Sequence, residues 1–429
     1  MKRLISMMTA SMLSLSLVAC AADTGKNPPG KAFAALDLTA APLIAPQWDR
    51  EYPAVSTNDF ALKLSAELAE SVGSDNFVCS PFSVWLPLAA LVNGTDSAHK
   101  AQLLEALGAE GISESDLNEY ASRTLYSLTN ERMKEWDTDE YHNPLRIANA
   151  IFVDDEVTLK RSFAQKFLDF YRGATFRVDF GSQDAADAVN QWASDSTDGL
   201  ITDLIQEFPP QTVAAIANAI YFSDRWTWEF HEADTKQDTF HAPDGDTTAD
   251  FMLRAGEAQP YYEDERVQAM PLSFQSGGAL YVIKPKDGDA TGFLRSLTDD
   301  YFQEMKRGAI SATGKLLLPK FELDSGLIRL SGVLQALGVP LFDADAAPLT
   351  KGVIEEDIPV WVSDAVQKAV IKVDETGTTA AAVTVVTLEG TAAMLQPTEP
   401  FEMKCDSPFV FVLAGSTGDV LFTGVVNQP

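Results

Sequence analysis

The sequence is poor in the residues from which reactive centres are most often built. It holds three cysteines (Cys20, Cys79, Cys405) with no Cys-x-x-Cys pair, and four histidines (His99, His142, His231, His241) without metal-ligand spacing. Neither a metal site nor a cofactor is expected. Gly-x-Ser-x-Gly, His-Glu-x-x-His and Gly-x-x-x-x-Gly-Lys-Ser/Thr are all missing, which removes the commonest hydrolase, metalloprotease and phosphate-loop signatures. A hydrolase with a scattered triad stays open at this point, since carboxylates are too plentiful here for any one pair to be informative. Positive charge is scarce: 32 Lys and Arg stand against 62 Asp and Glu, a net charge of −30. So acidic a surface argues against nucleic acid and anionic lipid as partners of the body. Its plainest meaning is solvation, with a saline habitat as a second reading.

What is present suits a large core, with 46% hydrophobic and only 22% charged residues. No Pro/Gly/Ser-rich linker divides the chain after about residue 50, so residues 51–429 read as one domain. The apolar run Leu4 to Val18 follows Lys2 and Arg3 and is too short for a stable transmembrane helix. It ends in Leu17-Val18-Ala19-Cys20, which is similar to a bacterial lipobox. Residues 1–19 are then a signal peptide and Cys20 the lipidation site, holding the protein by about 0.8 kcal/mol per buried CH2. An ordinary secretory signal with an incidental cysteine is the alternative. Loss of Lys2 and Arg3 would bring the mature charge to −32. Residues 20–50, with Pro28, Pro29, Pro42 and Pro46 among many Ala and Gly, read as a flexible tether. Cys79 and Cys405 sit among apolar residues and are expected as small buried thiols rather than a disulfide.

Periodicity places the elements. Phe60, Leu64 and Leu68 recur at helical spacing over residues 58–71, and residues 76–93 read as a short strand, a Ser-Pro turn and a nearly all-apolar helix. Further helices are expected over 99–107, 114–129, 162–171 and 185–194. Strands are expected over 145–153, 175–180, 212–222, 280–283, 315–321 and 369–373, with a hairpin at 409–414 and 420–426. Helices crowd early and strands late, so the fold class is α+β.

After the strand at 369–373 comes a long run of small and β-branched residues without Lys or Arg. Thr378, Ala380, Ala382, Thr384, Val386 and Leu388 share one face of an extended chain, and Thr379, Ala381, Val383, Val385 and Thr387 the other. Nothing in this run resists burial in a sheet. Glu375-Thr-Gly-Thr-Thr-Ala-Ala-Ala382 resembles the hinge of the serpin family. The resemblance extends in family order to Asn76-Phe-Val-Cys-Ser-Pro-Phe-Ser83, to residues 218–230 (NAIYFSDRWTWEF), to Val189-Asn190-Gln191-Trp192, to Leu318-Pro319-Lys320-Phe321 and to Pro408-Phe409-Val410-Phe411.

That resemblance implies a serpin fold, with three β-sheets, about nine helices and an exposed reactive loop above a five-stranded sheet. It implies no enzyme but a protease inhibitor, a monomer whose partner is a target serine protease held in a covalent complex. The target cuts the loop, and the loop inserts as a new central strand before the acyl-enzyme is hydrolysed. Hinge residues Glu375, Gly377, Thr378, Ala380, Ala381 and Ala382 include no proline or large side chain that would stall entry. Counting sixteen residues from Glu375, as the family pattern does, places the reactive bond at Thr391-Ala392, with Leu388, Met394 and Leu395 as alternatives. No Lys or Arg lies between Lys372 and Lys404, so a trypsin-like target is not expected. An elastase-like or subtilisin-like protease fits, and a papain-like cysteine protease is an alternative target. A non-inhibitory binding protein or chaperone on the same fold is the alternative function.

By the same resemblance, Ser80, Ser83 and Asn218 form a polar cluster where the sheet parts. Gln367 stands there in place of a histidine common in the family. Trp226 lies near the top of the sheet, either as plain core packing or as a gate, and Glu375 pairs with Lys320. Ser80 and Ser83 also fit helix capping. Localisation follows from the leader: export across the inner membrane and lipid anchorage to the bacterial outer membrane, on its periplasmic or cell-surface side.

Overall fold

The computed structural model describes residues 33–47, 50, 52–70, 73–129, 133–134, 141–142, 145–197, 199–209, 211–363, 365–378 and 400–429. The N-terminal half holds β1 (Phe33–Ala34), α1 (Thr57–Ala69), β2 (Phe77–Cys79), α2 (Pro81–Leu91), α3 (Ser97–Ala106) and α4 (Glu114–Thr129). A two-residue pair, β3 (Met133–Lys134) and β4 (Tyr141–His142), leads to β5 (Leu145–Asp154), α5 (Arg161–Tyr171), β6 (Gly173–Val178) and α6 (Gln183–Ser196). Next come β7 (Ala214–Phe222), β8 (Asp224–Arg225), β9 (Lys236–Ala242), β10 (Gly245–Glu263), β11 (Val267–Ser273) and β12 (Ala279–Pro285). The chain continues through α7 (Ala290–Ser296), α8 (Asp299–Gly308), β13 (Ile310–Pro319), β14 (Phe321–Asp324), β15 (Ile328–Arg329) and α9 (Ser331–Ala336). It closes with β16 (Val366–Gln367), β17 (Val370–Val373), β18 (Gly377–Thr378), β19 (Phe401–Lys404), β20 (Phe409–Ala414) and β21 (Val420–Val426). Each segment expected from periodicity forms its expected element, to within a few residues at the ends.

The central sheet is split. One half runs β1-β6-β5-β7, the other β14-β17-β18-β8. Among the described residues no ladder joins β7 directly to β17, and the halves meet only at the top, where β18 lies between β17 and β8. Behind it a nine-stranded sheet runs β19-β13-β10-β11-β12-β20-β21-β2, with β9 on β10. Strand β10 bends to serve two layers: its register against β13 shifts between Ala255 and Ala258, around Gly256 at φ 94°. The three expected sheets are therefore the split sheet and the two arms of this bent one.

The hairpin β20–β21 is buried along its whole length and floors the split sheet. Helix α2 follows for the same reason. Its apolar residues lie all round the axis, Trp85 and Leu86 being almost inaccessible, so it is driven inside rather than onto a surface. Helix α6 packs over β5 and β7 through the separate cluster of Ala185, Val189, Phe152 and Ala217.

Residues 33–47, expected as part of a flexible tether, are instead laid against the domain. β1 pairs antiparallel with the outer edge of β6, Phe33 opposite Arg177 and Ala34 opposite Phe176. Leu36, Leu38 and Leu43 pack on the core, which gives this stretch apolar burial that its Pro and Ala content conceals.

Candidate functional site

The site begins where β17 ends. Val373 leads into a tight turn held by Asp374, whose Oδ1 accepts Thr376 N (3.0 Å) and Thr376 Oγ1 (2.7 Å). Its amide donates to Gly377 O at 3.0 Å. The aspartate-to-glycine turn is legible in the sequence as a side chain closing on its own backbone, although only the hinge resemblance drew attention to this stretch. After the turn Gly377 and Thr378 run back as β18, Thr378 opposite both Val373 and Asp224. The hinge thus does not start in solvent: Gly377 and Thr378 already form a strand. A Cβ on Gly377 would collide with the Asp224 carbonyl and lie 2.9 Å from Arg225 Cα, so only glycine fits. Thr378 is 1% exposed, and its Oγ1 has no partner among the described residues.

Trp226 does two things at once. It is fully buried, stacked on Phe274 at 4.6 Å between centroids, with Phe230 at its edge. It also grips the loop root, Nε1 donating to Asp374 O and the main-chain amide to Thr376 O, both at 2.9 Å. The one side chain thus both packs the core and holds the loop root. Glu375 is 6% exposed and meets Lys320 Nζ at 2.9 Å, as expected, while Thr235 Oγ1 donates to its other oxygen at 2.8 Å. Burial pushes the Glu375 carboxyl up, but the hydrogen bonds from Lys320, from the backbone and from Thr235 outweigh it, and the group is held below the ordinary carboxylate range. The same bond to Glu375 raises the Lys320 ammonium against burial. Thr235 and Phe274 carried no signal in the sequence, because both reach the site from connecting segments, Thr235 just before β9 and Phe274 just after β11.

Below the hinge the split sheet leaves a cleft. Ile220 and Phe222 of β7 form one wall, Val370 and Ile371 of β17 the other, and Thr378 sits at its mouth. Leu413 and Phe422 of the buried hairpin are the floor, and Leu200 and Ile201 after α6 cover it. Among the described residues no strand pairs with both β7 and β17 along these apolar walls, a space with the dimensions and lining of one further strand.

The expected polar cluster is divided in two. Ser80 and Gln367 pair reciprocally: Ser80 N donates to Gln367 Oε1 at 3.1 Å, and Gln367 Nε2 to Ser80 O at 2.7 Å. Ser80 Oγ donates to Leu421 O, so Ser80 precedes α2 without capping it by its side chain. Ser83 is half-buried one turn further on. Asn218 faces elsewhere, giving Nδ2 to Asn149 Oδ1 at 2.7 Å, while Asn149 Nδ2 donates to Tyr171 O at 2.6 Å. Asn218 Oδ1 is buried and unpartnered among the described residues. Asn149 and Tyr171 were not singled out from sequence, being polar residues inside apolar segments.

Cys79 and Cys405 are buried and unbonded. Burial raises both thiols, to about 11 for Cys79 despite bonds to Thr423 and Ser65, and to about 12 for Cys405, so neither is a nucleophile at neutral pH. No His, Cys, Asp or Glu group fit to hold a metal occurs among the described residues. Ala380, Ala381, Ala382, Leu388, Thr391, Ala392, Met394, Leu395 and Cys20 lie outside the described residues.

Comparison with known proteins agrees with this geometry. The family model described as Serpin (serine protease inhibitor) matches residues 55–429. An uncharacterized serpin-like protein of Thermococcus kodakarensis is 30% identical over 385 residues, covering 89% of this chain and 87% of that one. Plasminogen activator inhibitor 1 of Mus musculus is 29% identical, covering 88% and 93%. Among solved structures, the thermophilic serpin tengpin in its native state superposes with a TM-score of 0.78 at 27% identity, over 93% of this chain and all of that one.

Proposed function

The chain belongs to the serpin family, and from that premise we propose that it inhibits serine proteases by offering the loop after Thr378 as bait and then burying it in the split sheet. The observation that carries this reading is the cleft itself, open between β7 and β17 with Thr378 seated at its mouth.

Register makes the proposal specific. Thr378 opposes Asp224 in an antiparallel pair, so each further loop residue meets one residue lower on β7, and Leu388 would oppose Ala214 at its end. On the other side Thr379 would meet Lys372 and Ala380 would meet Ile371. Ile371 and Val373 are buried, and Lys372 is half-buried. Thr378, Ala380 and Ala382 therefore face the floor, where small side chains fit, and Thr379 and Ala381 face α6. Thirteen residues from Thr378 to Gly390 would make about 43 Å of strand.

The chemistry belongs to the target. Its serine oxygen attacks the Thr391 carbonyl, the bond to Ala392 nitrogen breaks, the freed amine takes a proton, and an ester remains. Water would complete hydrolysis. Insertion competes with that step by carrying the ester down the sheet, away from the geometry in which water attacks. A bait without cations selects an elastase-like or subtilisin-like enzyme. We also read Cys20 as the lipidated first residue of the exported protein, anchored at the outer membrane.

The test is incubation with an elastase-like protease and with trypsin. The elastase-like enzyme should give a complex that survives SDS, with release of a peptide beginning at Ala392. Cleavage without a complex, and without a rise in thermal stability, would show a substrate or binding protein instead. The mass of the mature N-terminus tests the lipid separately.

A further inference from the structure

Residues 33–47 do more than cover an edge. Phe33 pairs with Arg177, Arg177 with Val153, and Val153 with Ala214, so four strands share one rung at one end of the sheet. The loop root is at the other end, at the rung of Asp224 and Thr378. Ala214 and Asp224 are ten residues apart, about 33 Å along the strands. β1 runs antiparallel to β6, hence from the Ala214 end toward the rung of Thr378, and its first residue, Phe33, lies at the Ala214 end.

Contacts along the segment hold it there. Ala35 N donates to Thr175 O and Ala41 N to Asp169 Oδ1, at 2.9 and 2.8 Å. Arg172, just after α5, and Gln165 of α5 donate to the carbonyls of Ala41 and Thr39, and Ile44 N donates to Ser122 of α4. Lateral β pairing, helix contacts and three half-buried leucines together exceed what a passing tether would make.

We infer that this docked segment is an orienting strap, which fixes the exit of the N-terminal arm so that a surface-anchored molecule presents its bait away from the lipid. The inference rests on the reading of Cys20 as anchored. Thirteen residues, 20–32, join Cys20 to Phe33. Their contour is at most about 45 Å, but a chain of that length typically spans about 20 Å, less than the 33 Å that separates the poles. The bait pole is therefore the distal one. The acidic body adds repulsion from an anionic leaflet. A protease carried down the sheet would arrive at the pole from which the arm leaves, between the body and the surface.

The experiment uses the mature chain with a hexahistidine tag in place of Cys20, captured on vesicles of phosphatidylcholine with nickel-chelating and acceptor-labelled lipids. A donor is placed on Glu156→Cys, in the exposed turn after β5, or on Ala233→Cys, beside the loop root. Cys79 and Cys405 are fully buried and stay unlabelled. Energy transfer should be roughly two-fold or more greater from position 156, as an offset of about 33 Å requires. Replacing residues 33–47 by a Gly/Ser stretch of equal length should abolish the difference. Ala35→Pro, which removes one pairing amide, should reduce it if the larger replacement does not fold. Equal transfer from both positions of the unaltered strap, or greater transfer from 233, overturns the inference. Because the anchor is synthetic, these outcomes do not depend on lipidation, which the N-terminal mass decides by itself.

Discussion

Replacing Thr378 with glutamate attacks the insertion model at its first rung. Thr378 is 1% exposed, paired with Val373 on one side and Asp224 on the other, and faces Leu413 and Phe422. A carboxylate there would be buried in an apolar cleft, with its Cβ about 5 Å from that of Asp224. Asp224 is itself buried, its oxygens accepting the amides of Arg225 and Ser276, and offers only like charge. Desolvation of one ion in a real protein costs several kcal/mol. Because Thr378 is already seated before cleavage, the carboxylate would drive the loop root out of the sheet in the uncut protein, and if about 3 kcal/mol of its desolvation then returns in the barrier to insertion, the step slows by roughly 150-fold. Hydrolysis of the acyl-enzyme does not slow, so the balance turns from trapping to turnover. Titrating an elastase-like protease with the variant should raise the inhibitor needed per enzyme at least about tenfold, with a matching loss of SDS-stable complex. Thr378→Ser and Thr378→Val should stay near wild type, since both fit the same space. Undiminished one-to-one trapping by Thr378→Glu would refute the idea that insertion starts at this rung.

Other expectations follow from the same geometry. Thr391→Arg should make the protein an inhibitor or substrate of trypsin, with cleavage before Ala392 on N-terminal sequencing; cleavage elsewhere relocates the reactive bond. On insertion the register would bring Thr384 opposite Asn218, whose buried Oδ1 lacks a partner among the described residues. Thr384→Val should therefore lower the thermal gain of the cleaved form by about 1–3 kcal/mol, and leave the uncut form unchanged. Glu375 is depressed in the folded state, so its pair with Lys320 stabilises above the unfolded carboxyl value of about 4.3 and is lost as pH falls through the lower folded value. Wild type should exceed Glu375→Gln by about 1 kcal/mol at neutral pH, Lys320 being half in solvent, and the gap should close in acid. A gap that widens below pH 4 would contradict the pairing.

Much of the fold was legible because apolar period and turn residues act locally. Helix α2 reads as buried from its unbroken apolar run, and the β20–β21 hairpin from two apolar runs flanking the turn residues Gly415 to Asp419. The loop's suitability for a sheet was equally local, a matter of side-chain size and branching at each position. Long-range polar geometry was not. Whether Asn218 meets Ser80 or Asn149 depends on which strands are neighbours and in what register, and sequence order does not carry that. Residues 33–47 looked like tether because their Pro and Ala content is that of a linker; they dock because β6 has a free edge and α5 offers donors for their carbonyls, both formed by residues more than a hundred positions away. The sequence determined that residues 378–388 are small or β-branched apart from Leu388 and that no cation lies between Lys372 and Lys404, since those are properties of its own residues. Only the tertiary structure decided that no ladder among the described residues joins β7 to β17, that Gly377 and Thr378 pair between β17 and β8, and that β1 runs along β6 from the Ala214 end, because a gap between strands and a strand direction exist only once the strands are assembled.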